Sequence, residues 1–358
     1  MISTSDLVVV TGGSGFIGGW IVLRLLEAGY SVRVTLMPSE DENAVRRDFA
    51  QASPWAQRLS FAPARLERDE GWAEAMHGAR GVVHVASPVP VALPRNEDDL
   101  IVPARDGALR VLAAARGAGV ERVVLTSSVT AICGRTPPSP GYVYRETDWL
   151  NPSDPRDSSS YARSKLAAEQ AAWNFVRHEG GRLELVAINP VLVLGPMWNA
   201  RIPPSLQVVQ RLLTGAVPGT PRLGWGVVDV RDVAELHLLA LTNPLASGER
   251  FIAGEKWMWT SDMARALRDG LGAAARRVPS RPLPDLLLRF AALFDPAIRS
   301  VLPDLGVRTD FDHTKAPRLL HWQARPAEEA VVASAESLLQ FGIVARDAAP
   351  HARARGTQ

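Results

Sequence analysis

Two features of this 358-residue chain predict its fold class. Short, wholly apolar runs alternate with helix-length amphipathic segments through its first two-thirds, and a glycine-rich turn joins the first run to the first helix. Together they predict an α/β protein: a Rossmann-type doubly wound parallel sheet followed by a smaller, mainly helical C-terminal lobe. The expected strands are residues 7–11, 31–36, 81–86, 122–127 and 183–189, each short and rich in Val, Ile or Leu. Strands covered on both faces read this way. Helical periodicity fills residues 16–28, 72–77, 103–118 and 161–178, and right-handed crossovers place such helices on the two faces of the sheet.

Beyond Pro190 the pattern loosens, and Pro and Trp become frequent. Ser261 is the expected N-cap of a helix over 262–271. Leucines and phenylalanines at helical spacing in 286–301 predict a small helical lobe packed on the sheet. Residues 345–358, rich in Ala and Arg, read as a disordered tail.

Hydrophobic residues make up 46% and charged residues 22% of the chain, with a formal net charge of +2. Nothing in that balance asks for a nucleic-acid partner. The single cysteine, Cys133, permits no internal disulfide and no thiolate metal cluster, so no metal is expected and a reducing cytoplasm fits. No apolar run approaches the roughly 18 residues of a membrane span, and the N-terminus lacks the basic start of a signal peptide. A monomer and a homodimer both remain open.

The glycine turn is "TGGSGFIGG", in which Gly12, Gly15 and Gly18 recur every third residue. In a strand-to-helix turn the first glycine permits the tight bend, the second admits a pyrophosphate, and the third lets helix approach strand. Phosphates then meet free N–H groups at the positive end of the helix, where Phe16 and Ile17 lie. The same turn without a ligand is the plainer reading; its place at the head of an α/β chain favours a dinucleotide. On this reading residues 1–190, with a returning segment at about 225–250, bind the dinucleotide, and 191–344 form a substrate-binding lobe.

"SSSYARSKLAAEQAAW" sets Tyr161 and Lys165 one helical turn apart, on one face. "RVVLTSSVTAI" ends a strand on Thr126, Ser127 and Ser128, at the carboxyl edge where doubly wound sheets bind ligands. Free tyrosine is a poor acid–base group near neutrality, and a nearby ammonium favours its phenolate. Lys165 is placed to supply that ammonium and to reach a ribose hydroxyl. A serine hydroxyl then holds the substrate oxygen.

With those pieces in hand, the chain resembles the extended short-chain dehydrogenases/reductases, and within them the dihydroflavonol reductase, cinnamoyl-CoA reductase and microbial aldehyde/ketone reductase group. "VTGGSGFIGGWIVLRLLEAGYSVR", "GVVHVASPV", "RVVLTSSVTAI", "YARSKLAAEQAAW", "INPVLVLGP" and "VDVRDVAELHLLAL" carry the resemblance, in family order, over residues 8 to 243. It implies a catalytic set of Ser128, Tyr161 and Lys165, with Ser127 as the alternative serine. It further implies a ribose wall at Val85, Ala86 and Ser87, and backbone along the nicotinamide from Pro190 through Leu192 to Val193. The implied reaction is hydride transfer to a carbonyl carbon of a small-molecule aldehyde or ketone, bulky or aromatic, with Tyr161 as proton donor.

The chain also departs from the group. Met37 stands where members that use NADP carry an arginine, and Ala64, Arg65 and Leu66 replace an "ADL"-like stretch beside the adenine. Arg46 and Arg47 are alternative partners for a 2′-phosphate, which Glu40, Asp41 and Glu42 would repel. The resemblance favours NADP(H), with NAD(H) as the alternative. Cys133 replaces the Asn of dihydroflavonol reductases, and the Asn-Trp-Tyr signature of cinnamoyl-CoA reductases is missing, so neither plant activity is expected. Expected pocket walls are Val89, Val91, Ile132, Met197, Trp198, Trp225 and Val227. His84 reads as a core histidine, and Asp229, Arg231, Asp232 and His237 as an ion-pair and helix-start motif, with a catalytic dyad as the alternative. Rival readings are a nucleotide-sugar epimerase or dehydratase, a steroid dehydrogenase/isomerase, and a non-catalytic dinucleotide sensor.

Overall fold

The computed structural model describes residues 2–88, 96–153, 158–294 and 296–345. Its strands are β1 (Leu7–Thr11), β2 (Ser31–Leu36), β3 (Leu59–Pro63), β4 (Ala79–His84), β5 (Arg122–Thr126), β6 (Val143–Tyr144), β7 (Glu184–Pro190), β8 (Leu192–Leu194), β9 (Gly224–Asp229), β10 (Arg250–Ala253), β11 (Lys256–Trp259) and β12 (Asp310–Phe311). The helices are α1 (Phe16–Glu27), α2 (Glu42–Ala52), α3 (Trp72–Met76), α4 (Asp98–Gly117), α5 (Ser160–His178), α6 (Gln207–Thr214), α7 (Val230–Thr242), α8 (Thr260–Leu271), α9 (Asp285–Ala291), α10 (Pro296–Val301), α11 (Lys315–Leu320) and α12 (Ala327–Gln340).

Among the described residues seven strands form one sheet in the order β10-β7-β5-β4-β1-β2-β3. Every pairing in it is parallel. The order reverses between β1 and β4, and that switch point opens a crevice at the carboxyl ends of the strands. Helices α4 and α5 pack together on one face, and α1 packs with α7 on the other. Val8, Val9, Val10, Val82, Val83, Val123 and Val124 are wholly buried, which explains why these strands show no polar alternation. A second core gathers β8, β9, α6, α8 and α12 around Leu206, Val209, Met258, Met263 and Leu267. No helix among the described residues is long and apolar enough to cross a membrane.

The departures from expectation have local causes. Helix α4 begins at Asp98 rather than at Pro103, which lies inside it; proline lacks an N–H, so its inclusion removes one internal hydrogen bond. Helix α8 begins at Thr260, because the Asp262 carboxylate accepts the Trp259 N–H at 3.0 Å and takes the capping role expected of Ser261. The stretch expected as one packed helical lobe splits into α9 and α10. Its apolar side faces outward, with Leu286 at 77% and Phe294 at 76% exposure. The tail expected to be disordered falls, from residue 346 on, outside the described residues.

Candidate active site

Gly12 adopts φ +66° and its carbonyl accepts the Gly15 N–H at 3.1 Å, closing the turn that leads into α1. A Cβ on Gly18 would lie 2.2 Å from that same carbonyl oxygen, and one on Gly12 would lie 2.9 Å from the backbone of Ala86. Side chains are therefore excluded by backbone on both sides. Gly15 is the extended residue before α1, whose first N–H groups are left without partners in the helix. Phe16 and Ile17 are half-buried against the core. This is a bare cradle of N–H groups of the kind a pyrophosphate occupies.

Across the switch point Val85 and Ala86 both donate their N–H groups to Thr11 Oγ1, each at 3.1 Å. The Thr11 proton therefore goes to His84 Nδ1, 2.7 Å away, which leaves Nε2 as the protonated ring nitrogen. Burial, with a smaller contribution from the Lys165 ammonium, pushes His84 down to about 3. A neutral imidazole thus stands beneath the cleft near Lys165. Ser87 is half-buried just beyond this turn. Arg65 is exposed in the loop after β3, and Leu66 packs on α4 at Gly107.

The two adjacent serines separate cleanly. Ser127 Oγ donates to Glu169 at 2.5 Å inside the protein. Ser128 Oγ caps the following turn by accepting the Thr130 N–H at 3.2 Å. Glu169 lies one turn beyond Lys165 on α5. It also receives Asn189 Nδ2 at 2.8 Å and Arg250 Nε at 2.6 Å, and Asn189 Nδ2 in turn holds the Ser128 carbonyl at 3.1 Å. This buried hub ties β5, β7, β10 and α5 into one frame and takes up the proton of the Ser127 hydroxyl, whereas Ser128 Oγ acts as an acceptor toward Thr130. Thr126 faces away from the cleft, its hydroxyl 2.8 Å from His237 Nε2.

Ser159 caps α5 by accepting the Ala162 N–H at 3.1 Å. The helix thereby presents Tyr161, 42% exposed, in its first turn, with the Lys165 ammonium 5.8 Å from the centre of the phenol ring. Lys165 itself is buried. A cavity of about 240 Å³ opens between this turn and the one following Ser128. Val129, Ala162, Leu192, Trp225, Trp257 and Phe311 line it, with Cys133 at its edge. Two polar atoms of its lining residues, Thr130 Oγ1 and Trp257 Nε1, are buried without a hydrogen-bond partner.

Of the expected walls among the described residues, only Trp225 lies on this cavity. Ile132 and Val227 are wholly buried in the core, and Met197 belongs to the second core. Trp198 stacks on Phe49, its ring 4.4 Å from that of Phe49, and donates to the Gly15 carbonyl at 2.9 Å. It fills the space over Gly19, where a Cβ would lie 2.1 Å from its indole, and so braces the glycine turn from below. Val89 and Val91 lie outside the described residues. Pro190 ends β7 beside the cavity residue Val191, whereas Val193 points into the core. Sequence reading missed Trp257 and Phe311. The alternating tryptophans of "KWMWT" were the available signal for Trp257, since β11 pairs Trp257 with Gly226 of β9.

At the end of β2, Met37 is 54% exposed and its N–H donates to Glu40 Oε2 at 2.9 Å. Arg46 pairs with Glu42 at 2.8 Å and Arg47 lies 4.0 Å from Asp41. Asp229 caps α7 and holds Arg231 at 2.7 Å, and Asp232 binds Arg325. These are structural pairs, away from the cavity.

Residues 8–254 match the model of the NAD dependent epimerase/dehydratase family. "Cinnamoyl-CoA reductase 1" of Petunia hybrida is 35% identical over 283 residues, covering 78% of this chain and 80% of that protein. "Dihydroflavonol 4-reductase" of Zea mays is 33% identical over 274 residues, 75% of each. Among solved structures, yeast methylglyoxal/isovaleraldehyde reductase Gre2 complexed with NADPH superposes with a TM-score of 0.77 at 26% identity, covering 94% of this chain and 98% of that one. With the family match reaching across the glycine turn, the serine edge and the Tyr161 helix, the chain belongs to the NAD dependent epimerase/dehydratase family, the extended short-chain dehydrogenases/reductases.

Proposed function

We propose that this protein is an NADPH-dependent reductase that converts the carbonyl of an aldehyde or ketone to an alcohol. One observation carries the reading. A cavity lined by Val129 and Thr130, which follow Ser128, and by Ser159 and Ala162, which flank Tyr161 in the chain, opens on the carboxyl side of a sheet whose glycine turn leaves a bare N–H cradle. The relatives named above are reductases, and the yeast structure holds NADPH.

When bound, the nicotinamide supplies a hydride to the carbonyl carbon. Ser128 hydrogen-bonds the carbonyl oxygen, and Tyr161 hands it the phenolic proton. The Lys165 ammonium favours the phenolate that remains. Solvent restores the proton, since Tyr161 is part-exposed. The apolar wall and its modest volume suit one substituted ring or a compact branched chain. The test is a spectrophotometric screen of aromatic aldehydes, bulky ketones and ketoesters with NADPH and NADH in parallel. Purified protein that carries stoichiometric cofactor and consumes neither would favour the epimerase or dehydratase reading instead.

A further inference from the structure

Glu40 follows the glycine turn by some twenty residues. At that spacing an acidic side chain in a dinucleotide-binding βαβ unit meets the adenosine ribose. Its carboxylate joins the two structures that would flank that ribose. Oε1 accepts Ser14 Oγ of the glycine turn at 2.6 Å, and Oε2 accepts the Met37 N–H at the end of β2 at 2.9 Å. The Glu40 N–H returns to the Met37 carbonyl at 2.8 Å, so backbone and side chain are both fixed. The side chain is only 15% exposed. Met37 brings no charge, while Arg46 and Arg47 face the acids of their own helix and its cap. Among the described residues one cation stands close: Arg201 Nη1, 3.7 Å from Glu40 Oε1 on a side chain that is 53% exposed.

We propose that Glu40 is the residue that sets cofactor discrimination, and that it narrows the preference for NADPH. A carboxylate anchored on Ser14 and Met37 accepts the 2′-hydroxyl of NADH where it stands. The 2′-phosphate of NADPH brings about two negative charges to the same place. It is accommodated only when Glu40 swings out and Arg201 receives the phosphate. The site therefore takes both cofactors, through alternate partners, with neither strongly excluded. This inference rests on the dinucleotide-dependent reading above.

The test measures dissociation constants of NADH and NADPH by tryptophan fluorescence quenching and by calorimetry, without substrate. In the wild type the two constants should lie within about tenfold of each other. Glu40→Gln, which keeps the shape and removes the charge, should tighten NADPH by about tenfold and not tighten NADH, the scale of one charged hydrogen bond. Arg201→Ala should weaken NADPH alone, and this second variant leaves the Glu40 loop intact. The proposal falls if the wild type prefers NADPH by about a hundredfold or more, or if Glu40→Gln leaves the ratio unmoved. If neither dinucleotide binds the wild type, it is the reductase reading that fails.

Discussion

Helices α5 and α9 both announce themselves by residue spacing, yet they bury opposite things. Helix α5 takes Ser164, Lys165 and Glu169 into the interior and leaves Tyr161 at the surface. Helix α9 turns Leu286, Leu287 and Phe290 to solvent and buries Leu288. Periodicity therefore reports that a helix forms; what it packs against decides which side goes in. Glu169 tolerates full burial because Ser127, Asn189 and Arg250 meet its two oxygens, as a buried charge requires. In α9 only Leu288 is buried, with Ala292 just beyond its end, and Asp285 at its start is held from outside by Arg222 at 2.6 Å.

The largest effect should come from the exposed member of α5. Tyr161→Phe is expected to lower carbonyl reduction by about 10²–10⁴ while leaving dinucleotide affinity unchanged, whereas Lys165→Ala should weaken both. Steady-state rates and direct binding titrations separate the two. An active Phe variant would remove Tyr161 from the chemistry and, with it, the functional meaning of this inverted helix.

Next in size is the buried hub. Glu169→Ala strands the Arg250 guanidinium, which is held between Glu169 and the carbonyls of Glu146 and Asp148 over the Trp149 ring. Breaking one side of a buried pair costs about 3–5 kcal/mol, readable as a lowered denaturation midpoint. Glu169→Gln, which keeps most of the hydrogen bonds, should cost less. Equal losses for both variants would mean that the charge itself, and not the hydrogen bonds that Gln retains, carries the whole effect.

Acid should loosen the same region by a different route. Burial holds His84 at about 3 and His237 at about 4, below the ordinary 6.5. The unfolded chain therefore takes up protons that the folded one refuses. The contribution of these rings is complete above pH 6.5 and is lost as pH falls toward 4 and then 3. Stability should decline by up to about 1.4 kcal/mol per pH unit for each ring, and replacing His237 by Asn should flatten that slope in pH-dependent denaturation.

Much of this arrangement was legible in the residues, and what was not has a physical reason. Strand β1 falls where its apolar run begins and ends, since a strand buried on both faces is marked by apolar residues throughout. The β3 strand was unread because Ser60 and Pro63 break its apolar run. The glycine turn and the Tyr161–Lys165 spacing are local, so sequence order carries their geometry. What distinguishes the surroundings of Ser127 from those of Ser128 is not local. It depends on Glu169, Asn189 and Arg250 arriving from other elements. For the same reason Trp198, a plausible pocket wall by composition, turned out to brace Gly15 and Gly19. Likewise Trp257 reaches the cavity only through the pairing of β11 with β9.

The smallest effects test the outward face of α9. At about 100° per residue, Leu286, Leu287 and Phe290 share one arc and Leu288 falls opposite it, in agreement with their exposures. Leu288→Ala should therefore cost about 2 kcal/mol, the lower end for a buried leucine whose site can relax. Phe290→Ser, on a ring that is 62% exposed, should shift stability by no more than about 0.5 kcal/mol. Chemical denaturation of the two variants compares them directly. A Phe290→Ser loss as large as that of Leu288→Ala would mean that the ring is covered in solution, and the contrast between the two helices would then lie in their partners rather than in their faces.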